Sequence, residues 1–194
     1  MRKILITGGS GFIGSNLVRL LVKQKGCTAL NLDKLTYAGT AGALSDLEGR
    51  PDYYFEHVDL GDASALDSIF DRYQPDAVMH LAAESHVDRS IDGPDEFIQT
   101  NIVGTYNLLQ SSLAYWRSRP EADGALGLSS PTKQSFRFLH VSTDEVFGSL
   151  APEAPAFTER SPYDPHSPYS ASKAASDHLI RAWGDTYRLP VIVT

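Results

Sequence analysis

The sequence predicts an α/β fold in which a doubly wound parallel β-sheet carries helices on both of its faces. Two observations lead to this fold class. Short apolar runs alternate with longer amphipathic patterns along the chain, and a glycine-rich turn joins the first run to the first helical pattern. Strands and helices in alternation build parallel sheets, because each helix returns the chain to the same edge of the sheet. Right-handed crossovers then distribute the helices over both faces.

The elements of this fold can be assigned from the length and periodicity of each run. Short apolar runs bounded by turn residues are typical of strands that are buried on both faces. Strands are predicted at residues 3–7, 28–32, 53–58, 77–80, 136–141 and 190–194. Helices, in which apolar positions recur every three or four residues, are predicted at 12–25, 63–73, 95–117 and 169–187.

Two segments show neither the short apolar runs of strands nor the three-to-four-residue spacing of helices. Residues 119–135 are rich in Pro, Gly and Ser and predict an exposed loop, and residues 149–168 contain five prolines and predict an irregular loop before the last helix. The chain stops on the apolar run 190–194, whose pattern is typical of a buried strand. We therefore expect residues 1–194 to form one domain of a longer protein.

The composition restricts the partners that the chain can have. It is 42% hydrophobic, which is ordinary for a globular protein, and its net charge of −7 argues against nucleic acid or an anionic membrane as the main partner. The negative charge does not exclude a phosphorylated ligand, because backbone amides bind phosphate without positive side chains. Cys27 is the single cysteine, and no histidine spacing indicates a metal site. No apolar run has transmembrane length, so we expect a cytoplasmic protein.

The turn after the first strand carries the glycine spacing of a dinucleotide site. Gly8, Gly11 and Gly14 satisfy G-x-x-G-x-x-G, and Gly9 offers an alternative G-x-G-x-x-G register. Glycines permit the sharp turn and let the backbone approach a pyrophosphate, which amides at a helix N-terminus can bind. Here a predicted strand precedes the motif and a predicted helix follows it, which is the arrangement of the Rossmann fold.

An acidic residue completes this candidate site. Asp33 lies 19 residues beyond Gly14, at the end of the second predicted strand. An acid there accepts hydrogen bonds from a ribose diol and would repel a 2′-phosphate, so the sequence predicts NAD rather than NADP. The alternative is a glycine-rich turn with a surface aspartate. Asp59 and Leu60, which follow the third strand, are candidate contacts for the adenine.

Tyr169 and Lys173 form a Y-x-x-x-K pattern at the start of the last predicted helix. Residues four apart share one helix face, so the ammonium can lie beside the phenol. We expect the lysine and an oxidised nicotinamide to favour the phenolate, which could remove a hydroxyl proton while hydride leaves the same carbon. Two unrelated surface residues are the alternative explanation.

Residues 142–148 follow the fifth strand, where an open parallel sheet presents side chains to its ligand crevice. Thr143 can hydrogen-bond a reacting hydroxyl, and Asp144 with Glu145 forms a second acid/base pair. A simple alcohol dehydrogenase has no need of this pair, whereas an elimination needs one group to protonate the departing hydroxyl and another to take a proton from the adjacent carbon. A solvated acidic turn is the alternative.

These motifs, together with LAAESHVDRS at residues 81–90, resemble the extended short-chain dehydrogenase/reductases and, more narrowly, the dTDP-glucose 4,6-dehydratases. The resemblance covers essentially the whole chain. Nucleotide-sugar epimerases of the same superfamily carry small or hydroxyl residues where Asp144 and Glu145 stand. Phe147 departs from the family, which usually has Tyr there, and we expect little effect because the ring is kept.

The resemblance implies roles for five side chains. Tyr169 would be the base for oxidation at C4 of the glucose, with Lys173 holding Tyr169 and the nicotinamide ribose. Thr143 would bind near O4, Asp144 would protonate the C6 hydroxyl, and Glu145 would take the C5 proton. Hydride would return to C6, so the implied net reaction is loss of water from dTDP-glucose, giving dTDP-4-keto-6-deoxyglucose.

The resemblance also implies the residues that contact the cofactor and the sugar. Ser85 would lie near the substrate, together with Thr143, Asp144 and Glu145. The implied NAD-binding residues are Gly8, Gly11, Phe12, Ile13, Gly14, Asp33, Lys34, Leu35, Thr36, Asp59, Leu60, Leu81, Ala82, Ala83, Ser85, Thr100, Tyr169 and Lys173.

Two further expectations follow from the resemblance. The substrate-binding region would lie beyond residue 194, so residues 1–194 would form an NAD-binding Rossmann domain without turnover of its own. The helices at 95–117 and 169–187 would pair with a second copy in a homodimer, with Tyr106, Tyr115 and Trp116 as candidates for that surface. The alternative functions are another nucleotide-sugar dehydratase, a 4-epimerase, and a non-catalytic NAD-sensing domain.

Overall fold

The computed structural model describes residues 1–121 and 132–194, and these form one six-stranded sheet whose strands are all parallel. The predicted loop at 119–135 lies mostly outside the described residues. Each strand begins and ends within one residue of its predicted bounds. The strands are β1 (Lys3–Thr7), β2 (Thr28–Asp33), β3 (Tyr53–His57), β4 (Ala77–His80), β5 (Arg137–His140) and β6 (Val191–Val193).

The strand order across the sheet is β3-β2-β1-β4-β5-β6. The chain first builds outward from β1 to β3, then returns to the other side of β1 and continues to β6. The order therefore reverses between β1 and β4, whose residues pair from Ile4 with Ala77 to Thr7 with His80. This is the doubly wound Rossmann arrangement, and ligands bind where the order reverses, beyond the carboxyl ends of the strands. The predicted fold class is confirmed.

Helices connect the strands, and some of them differ from the prediction. The helix predicted at 95–117 consists of three consecutive pieces of different winding, and a helix at Val87–Asp92 was not predicted. The helices are α1 (Phe12–Arg19), α2 (Ala63–Tyr73), α3 (Val87–Asp92), α4 (Pro94–Phe97), α5 (Thr105–Arg117) and α6 (Pro168–Tyr187); wider π-helical turns occupy Leu20–Gln24 and Ile98–Gly104, and 3₁₀ turns occupy Ala41–Leu47 and Asp144–Phe147.

The sequence around α6 explains where that helix begins and ends. Ser167 caps its N-terminus, because the Ser167 hydroxyl accepts from the backbone N–H of Ser170 at 3.0 Å while the Ser170 hydroxyl accepts from the N–H of Ser167 at 3.0 Å. Pro168 occupies the first helical position, where no N–H is needed. The helix ends at Arg188, which has a left-handed φ of 62° and donates its N–H to Gly184 O.

Both faces of the central strands are buried, which is why β1 and β4 are mostly apolar, whereas the edge strand β3 is partly exposed. Leu5 points to one face, against α2, α5 and α6, while Ile4 and Ile6 point to the other, against α1 and the Ala41–Leu47 turn. Tyr115, predicted as a candidate surface residue, is 5% exposed and packs on Phe70 with ring centroids 5.2 Å apart. The prediction for Tyr115 was wrong, because α5 turns this side chain into the core.

No helix in the two described ranges has the length and apolar character needed to cross a bilayer.

Candidate active site

A cleft of about 500 Å³ opens at the carboxyl ends of the strands, beside the point where the strand order reverses. Its walls come from the turn between β1 and α1, from the residues that follow β2, β3, β4 and β5, and from the first turns of α6. Every residue predicted to contact NAD lines this cleft except Leu35. The sequence motifs, which are up to 165 residues apart, therefore meet in one cavity.

The glycine turn forms one wall by bringing backbone against backbone. A Cβ on Gly14 would lie 2.1 Å from Gly8 O, and a Cβ on Gly8, whose φ is 72°, would lie 2.7 Å from Ala82 N. Only glycine fits such contacts. Helix α1 then begins after Gly11 without a side-chain cap, so backbone amides of its first turn remain available to an anion.

Asp33 ties this turn to the end of β2. Its carboxylate accepts from the N–H of Ser10 at 2.8 Å and from the N–H of Leu35 at 2.8 Å. The Leu35 side chain does not line the cleft; its left-handed backbone, with a φ of 53°, instead turns its amide toward Asp33. The acid is therefore held rigidly at the cleft, with lone pairs left over for further donors.

Lys34 forms an ionic cluster at the edge of the cleft that sequence reasoning missed. Its ammonium donates to Thr100 Oγ1 at 2.8 Å and lies 3.8 Å from a carboxylate oxygen of each of Asp59, Glu84 and Glu96. Glu84 is 6% exposed. No short-range sequence signal pairs these residues, because the order of the strands and the packing of the helical segment 94–104 bring them together.

Lys173 is buried on α6 and points at the end of β5. Its ammonium donates to Val141 O at 2.8 Å, and its side chain is 4% exposed. Burial lowers the pKa of Lys173 to about 8, and the negative charge of Asp177 opposes that shift. The lysine therefore still carries its charge at neutral pH, but it would lose its proton at a pH well below that of an exposed lysine.

Tyr169 lies one turn before Lys173 on the same face, and it is 8% exposed. Burial raises the pKa of the Tyr169 hydroxyl, a hydrogen bond with Thr143 lowers it, and the charges of Glu145 and Asp144 raise it again. We expected Lys173 to favour the phenolate, but the lysine donates to a backbone carbonyl in this arrangement. The net shift disfavours the phenolate, so Tyr169 is a proton donor or acceptor that needs an added positive charge to ionise.

Thr143, Asp144 and Glu145 stand beside the cleft rather than in its lining. Asp144 and Glu145 are exposed at the start of the 3₁₀ turn, which Thr143 caps by accepting from the N–H of Glu145 at 3.3 Å. Ser85 lies in the lining and is exposed. The arrangement puts a tyrosine, a hydroxyl and two carboxylates along one side of an open cavity, where each could reach a bound ligand.

The strand order, the glycine turn and the Asp33 carboxylate at the end of β2 define a dinucleotide-binding protein of the Rossmann fold. The family described as "GDP-mannose 4,6 dehydratase" matches residues 5–194, and the chain belongs to this family.

Individual curated proteins also match the chain over its whole length. The chain is 57% identical over 194 residues to the dTDP-glucose 4,6-dehydratase of Haemophilus influenzae, covering 100% of this chain and 55% of the relative. It is 56% identical to the dTDP-glucose 4,6-dehydratase of Neisseria meningitidis, covering 100% of this chain and 52% of the relative. The predicted resemblance is thus confirmed, and the chain spans about half the length of these curated relatives.

Solved structures share the fold. DesIV, a dTDP-glucose 4,6-dehydratase from Streptomyces venezuelae crystallised with NAD and TYD, superposes with a TM-score of 0.84 at 40% identity, covering 98% of this chain and 54% of that one. A UDP-glucose 4-epimerase from Thermus thermophilus in complex with NAD superposes with a TM-score of 0.80 at 29% identity, covering 98% of this chain and 53% of that one. The fold is therefore common to dehydratases and epimerases, and the function has to be argued from the site.

Proposed function

We propose that the whole protein is an NAD-dependent hydro-lyase, a dTDP-glucose 4,6-dehydratase that yields dTDP-4-keto-6-deoxyglucose. The observation that carries the proposal is the pair Asp144 and Glu145 on the turn beside Tyr169 and Lys173. Removal of water from adjacent carbons needs an acid and a base besides the group that oxidises the alcohol. The names of the relatives at 53–57% identity agree with this reaction.

The cleft fits NAD. The close approach of Gly14 to Gly8 leaves room for a pyrophosphate against backbone amides, and the carboxylate of Asp33 can accept from the adenosine ribose. Lys34, Asp59 and Leu60 would flank the adenine end, and Lys173 the nicotinamide end. NAD, when bound, supplies the hydride acceptor for the first step and returns hydride in the last. Two neighbouring structures in the same fold were solved with NAD.

The side chains of the cleft would then handle the protons. Tyr169 takes the proton of the C4 hydroxyl, a transfer that the positive charges of Lys173 and an oxidised nicotinamide would favour against the burial that raises its pKa. Thr143 orients the C4 oxygen. Glu145 takes the proton at C5, which the new C4 carbonyl acidifies, and Asp144 gives a proton to the departing C6 hydroxyl.

The domain and its partners form part of the same proposal. Residues 1–194 would form the NAD-binding Rossmann domain, and the nucleotide of the sugar would be bound by the remainder of the protein. The exposed Tyr106 and the partly exposed Trp183 lie on α5 and α6, which supports a homodimer through residues 95–117 and 169–187. The cytoplasm is the proposed location.

The test uses the full-length parent protein with dTDP-glucose in deuterated water, followed by NMR of the product. We expect a 4-keto-6-deoxy sugar with deuterium at C5, because the base at C5 exchanges its proton with solvent. A C4 epimer would favour the 4-epimerase, and unchanged substrate with NAD bound would favour a sensor. GDP-mannose, offered in parallel because of the family description, should not be converted.

Two variants assign the elimination to its residues. Glu145→Gln should retain oxidation at C4 but lose deuterium incorporation at C5, since an amide cannot take the proton. Asp144→Asn should slow loss of the hydroxyl. Asp92→Asn, at the end of helix α3 and outside the cleft, is the matched control and should behave as the unmodified protein. Full incorporation of deuterium by Glu145→Gln would remove Glu145 from the proposed role.

A further inference from the structure

Asp177 is a buried carboxylate that the proposed chemistry does not use. It lies on α6 four residues after Lys173 and eight after Tyr169, so the three side chains share one face of the helix. The residue is 0% exposed. A carboxylate removed from water in this way requires partners, because an unpaired buried charge is strongly unfavourable.

Two hydroxyl groups supply these partners. Ser142 Oγ donates to Asp177 Oδ2 at 2.5 Å, and the hydroxyl of Tyr163 donates to the same oxygen at 2.7 Å. His140 Nε2 lies 3.1 Å from the other oxygen, Oδ1, and is the third polar group against the carboxylate. Burial raises the pKa of the Asp177 carboxyl, yet His140, Ser142 and Tyr163 together outweigh burial and hold that pKa below its usual value.

The two hydroxyls come from opposite sides of the same turn. Ser142 directly precedes Thr143, which caps the Asp144–Phe147 turn. Tyr163 packs edge-on against Phe147 with ring centroids 5.3 Å apart. The next residue, Asp164, donates its N–H to Val146 O at 3.0 Å. The Asp177 carboxylate therefore binds the chain before the turn and the segment that covers its end.

A second contact runs between the same elements. Lys173 donates to Val141 O, one residue before Ser142. Helix α6 thus binds two consecutive residues at the end of β5, one through a cation and one through an anion. These links set the distance between the helix that carries Tyr169 and the turn that carries the two exposed carboxylates.

We propose that Asp177 is a positioning residue, which holds the turn bearing Thr143, Asp144 and Glu145 at a fixed place relative to Tyr169. This inference rests on the proposed function. Oxidation at C4 and elimination across C5 and C6 use groups on different segments of the chain, yet both act on one sugar ring. A displacement of about 1 Å between such groups can cost about a hundredfold in rate.

The test removes each hydroxyl partner while leaving the buried carboxylate in place. Ser142→Ala and Tyr163→Phe are made in the full-length protein. Their matched controls are Ser111→Ala, which removes a hydroxyl donating to Asp67 at 2.6 Å, and Tyr73→Phe, which removes one donating to Glu56 at 2.6 Å. Both control pairs lie outside the cleft.

We expect Ser142→Ala and Tyr163→Phe to lower kcat on dTDP-glucose by about tenfold or more, with little change in KM, whereas the controls keep the unmodified rate. Elimination should suffer more than oxidation, so enzyme-bound NADH should accumulate during turnover. Amide hydrogen exchange of residues 143–148 should accelerate in the two variants and not in the controls, because their turn has lost a tether.

Each alternative outcome is decisive. Exchange of residues 143–148 that matches the controls overturns the positioning role, whatever happens to kcat. Accelerated exchange with an unchanged kcat overturns it as well, since the turn then moves without consequence. If the unmodified protein does not convert dTDP-glucose, the proposed function fails, and the exchange measurement alone decides whether Asp177 holds the turn.

Discussion

The two walls of the cleft are built by opposite means. The wall formed by the β1–α1 turn consists of backbone, and it depends on the absence of side chains at Gly8 and Gly14. The wall formed by α6 and the end of β5 consists of buried polar side chains, and burial shifts the pKa values of Tyr169 and Lys173 away from their usual values. The first wall can only bind, whereas the second can also exchange protons. Substitutions in the backbone wall should therefore reduce the affinity for NAD, and substitutions in the side-chain wall should reduce the rate of the reaction.

The largest effect is expected from Tyr169→Phe, which removes the proton-transfer group but keeps the ring. In the full-length protein, kcat on dTDP-glucose should fall by about a hundredfold to ten-thousandfold, the range for loss of a general base. NAD affinity, measured by calorimetry, should stay within a small factor of the unmodified value.

Tyr115→Phe provides the control, because Tyr115 is also buried and its hydroxyl donates to Pro75 O at 2.9 Å, away from the cleft. If Tyr169→Phe weakened NAD binding as much as it lowered kcat, the separation between a binding wall and a reacting wall would be lost.

The second effect is a dependence of stability on pH that comes from Lys173. Its pKa is about 8 in the folded protein against 10.5 in the unfolded chain, so between these values the folded protein binds fewer protons. The free energy of unfolding should therefore rise with pH across this window, by on the order of 3 kcal/mol. Lys173→Met, a neutral side chain of similar length, should not show this rise.

Urea titrations of both proteins across the window measure the difference. The tyrosines that titrate at higher pH are present in both, so their contribution cancels in the comparison. Parallel curves for the two proteins would mean that the Lys173 ammonium is solvated, and that the second wall is less buried than its geometry indicates.

Gly14→Ala should show the third effect, at the backbone wall. Its Cβ would meet Gly8 O at 2.1 Å, so the turn must open, with a loss of about 1–3 kcal/mol of stability and a weaker affinity for NAD. Gly42→Ala is the control, because a Cβ there has no atom within 4 Å. The two variants should differ clearly in melting temperature and in NAD affinity, measured by thermal unfolding and by NAD titration. Equal values would show that the turn tolerates a methyl group.

The smallest effect is expected from Asp33→Asn, which keeps the shape of the side chain and removes its charge. NAD affinity should fall about tenfold, because the amide keeps only one acceptor oxygen, so one of the N–H groups of Ser10 and Leu35 loses its partner and the remaining bonds are no longer charge-assisted. NADP should be discriminated against less strongly. Asp62→Asn, at a helix N-cap outside the cleft, is the control. Unchanged discrimination between the two dinucleotides would assign the selectivity to another group.

The sequence predicted the strands to within a residue, because turn residues bound each short run and the central strands, which are buried on both faces, are mostly apolar. It also predicted the glycine turn, since at Gly14 only the smallest residue fits. The helix at 95–117 was predicted as one piece because apolar spacing continues through the wide turn at Ile98–Gly104. Helix α3, Val87–Asp92, is too short to show a period.

Some of the residues that were misread or missed have a signal in the sequence that could have revealed them, and others have none. Tyr115 lies seven residues after the buried Leu108, which places both on one helix face, so its burial could have been predicted. Asp177 shares the face of Tyr169 and Lys173, which is also visible in the spacing. The carboxylates around Lys34 carry no such signal, because their meeting depends on the order of the strands.

The wide turn at Ile98–Gly104 lets neighbouring side chains face different elements. Thr100 reaches Lys34 in the cleft, while Asn101 bonds the backbone of Glu84 and the hydroxyl of Ser172 on α6. A π-helical turn holds one residue more than an α-helical turn, so deleting one residue here would tighten the segment toward a regular α-helix and leave Leu108 on the core side of α5. An inserted residue would instead rotate α5 by about 100° and carry Leu108 out of the core. A library of single-codon changes should therefore be depleted of insertions more strongly than of deletions at these positions.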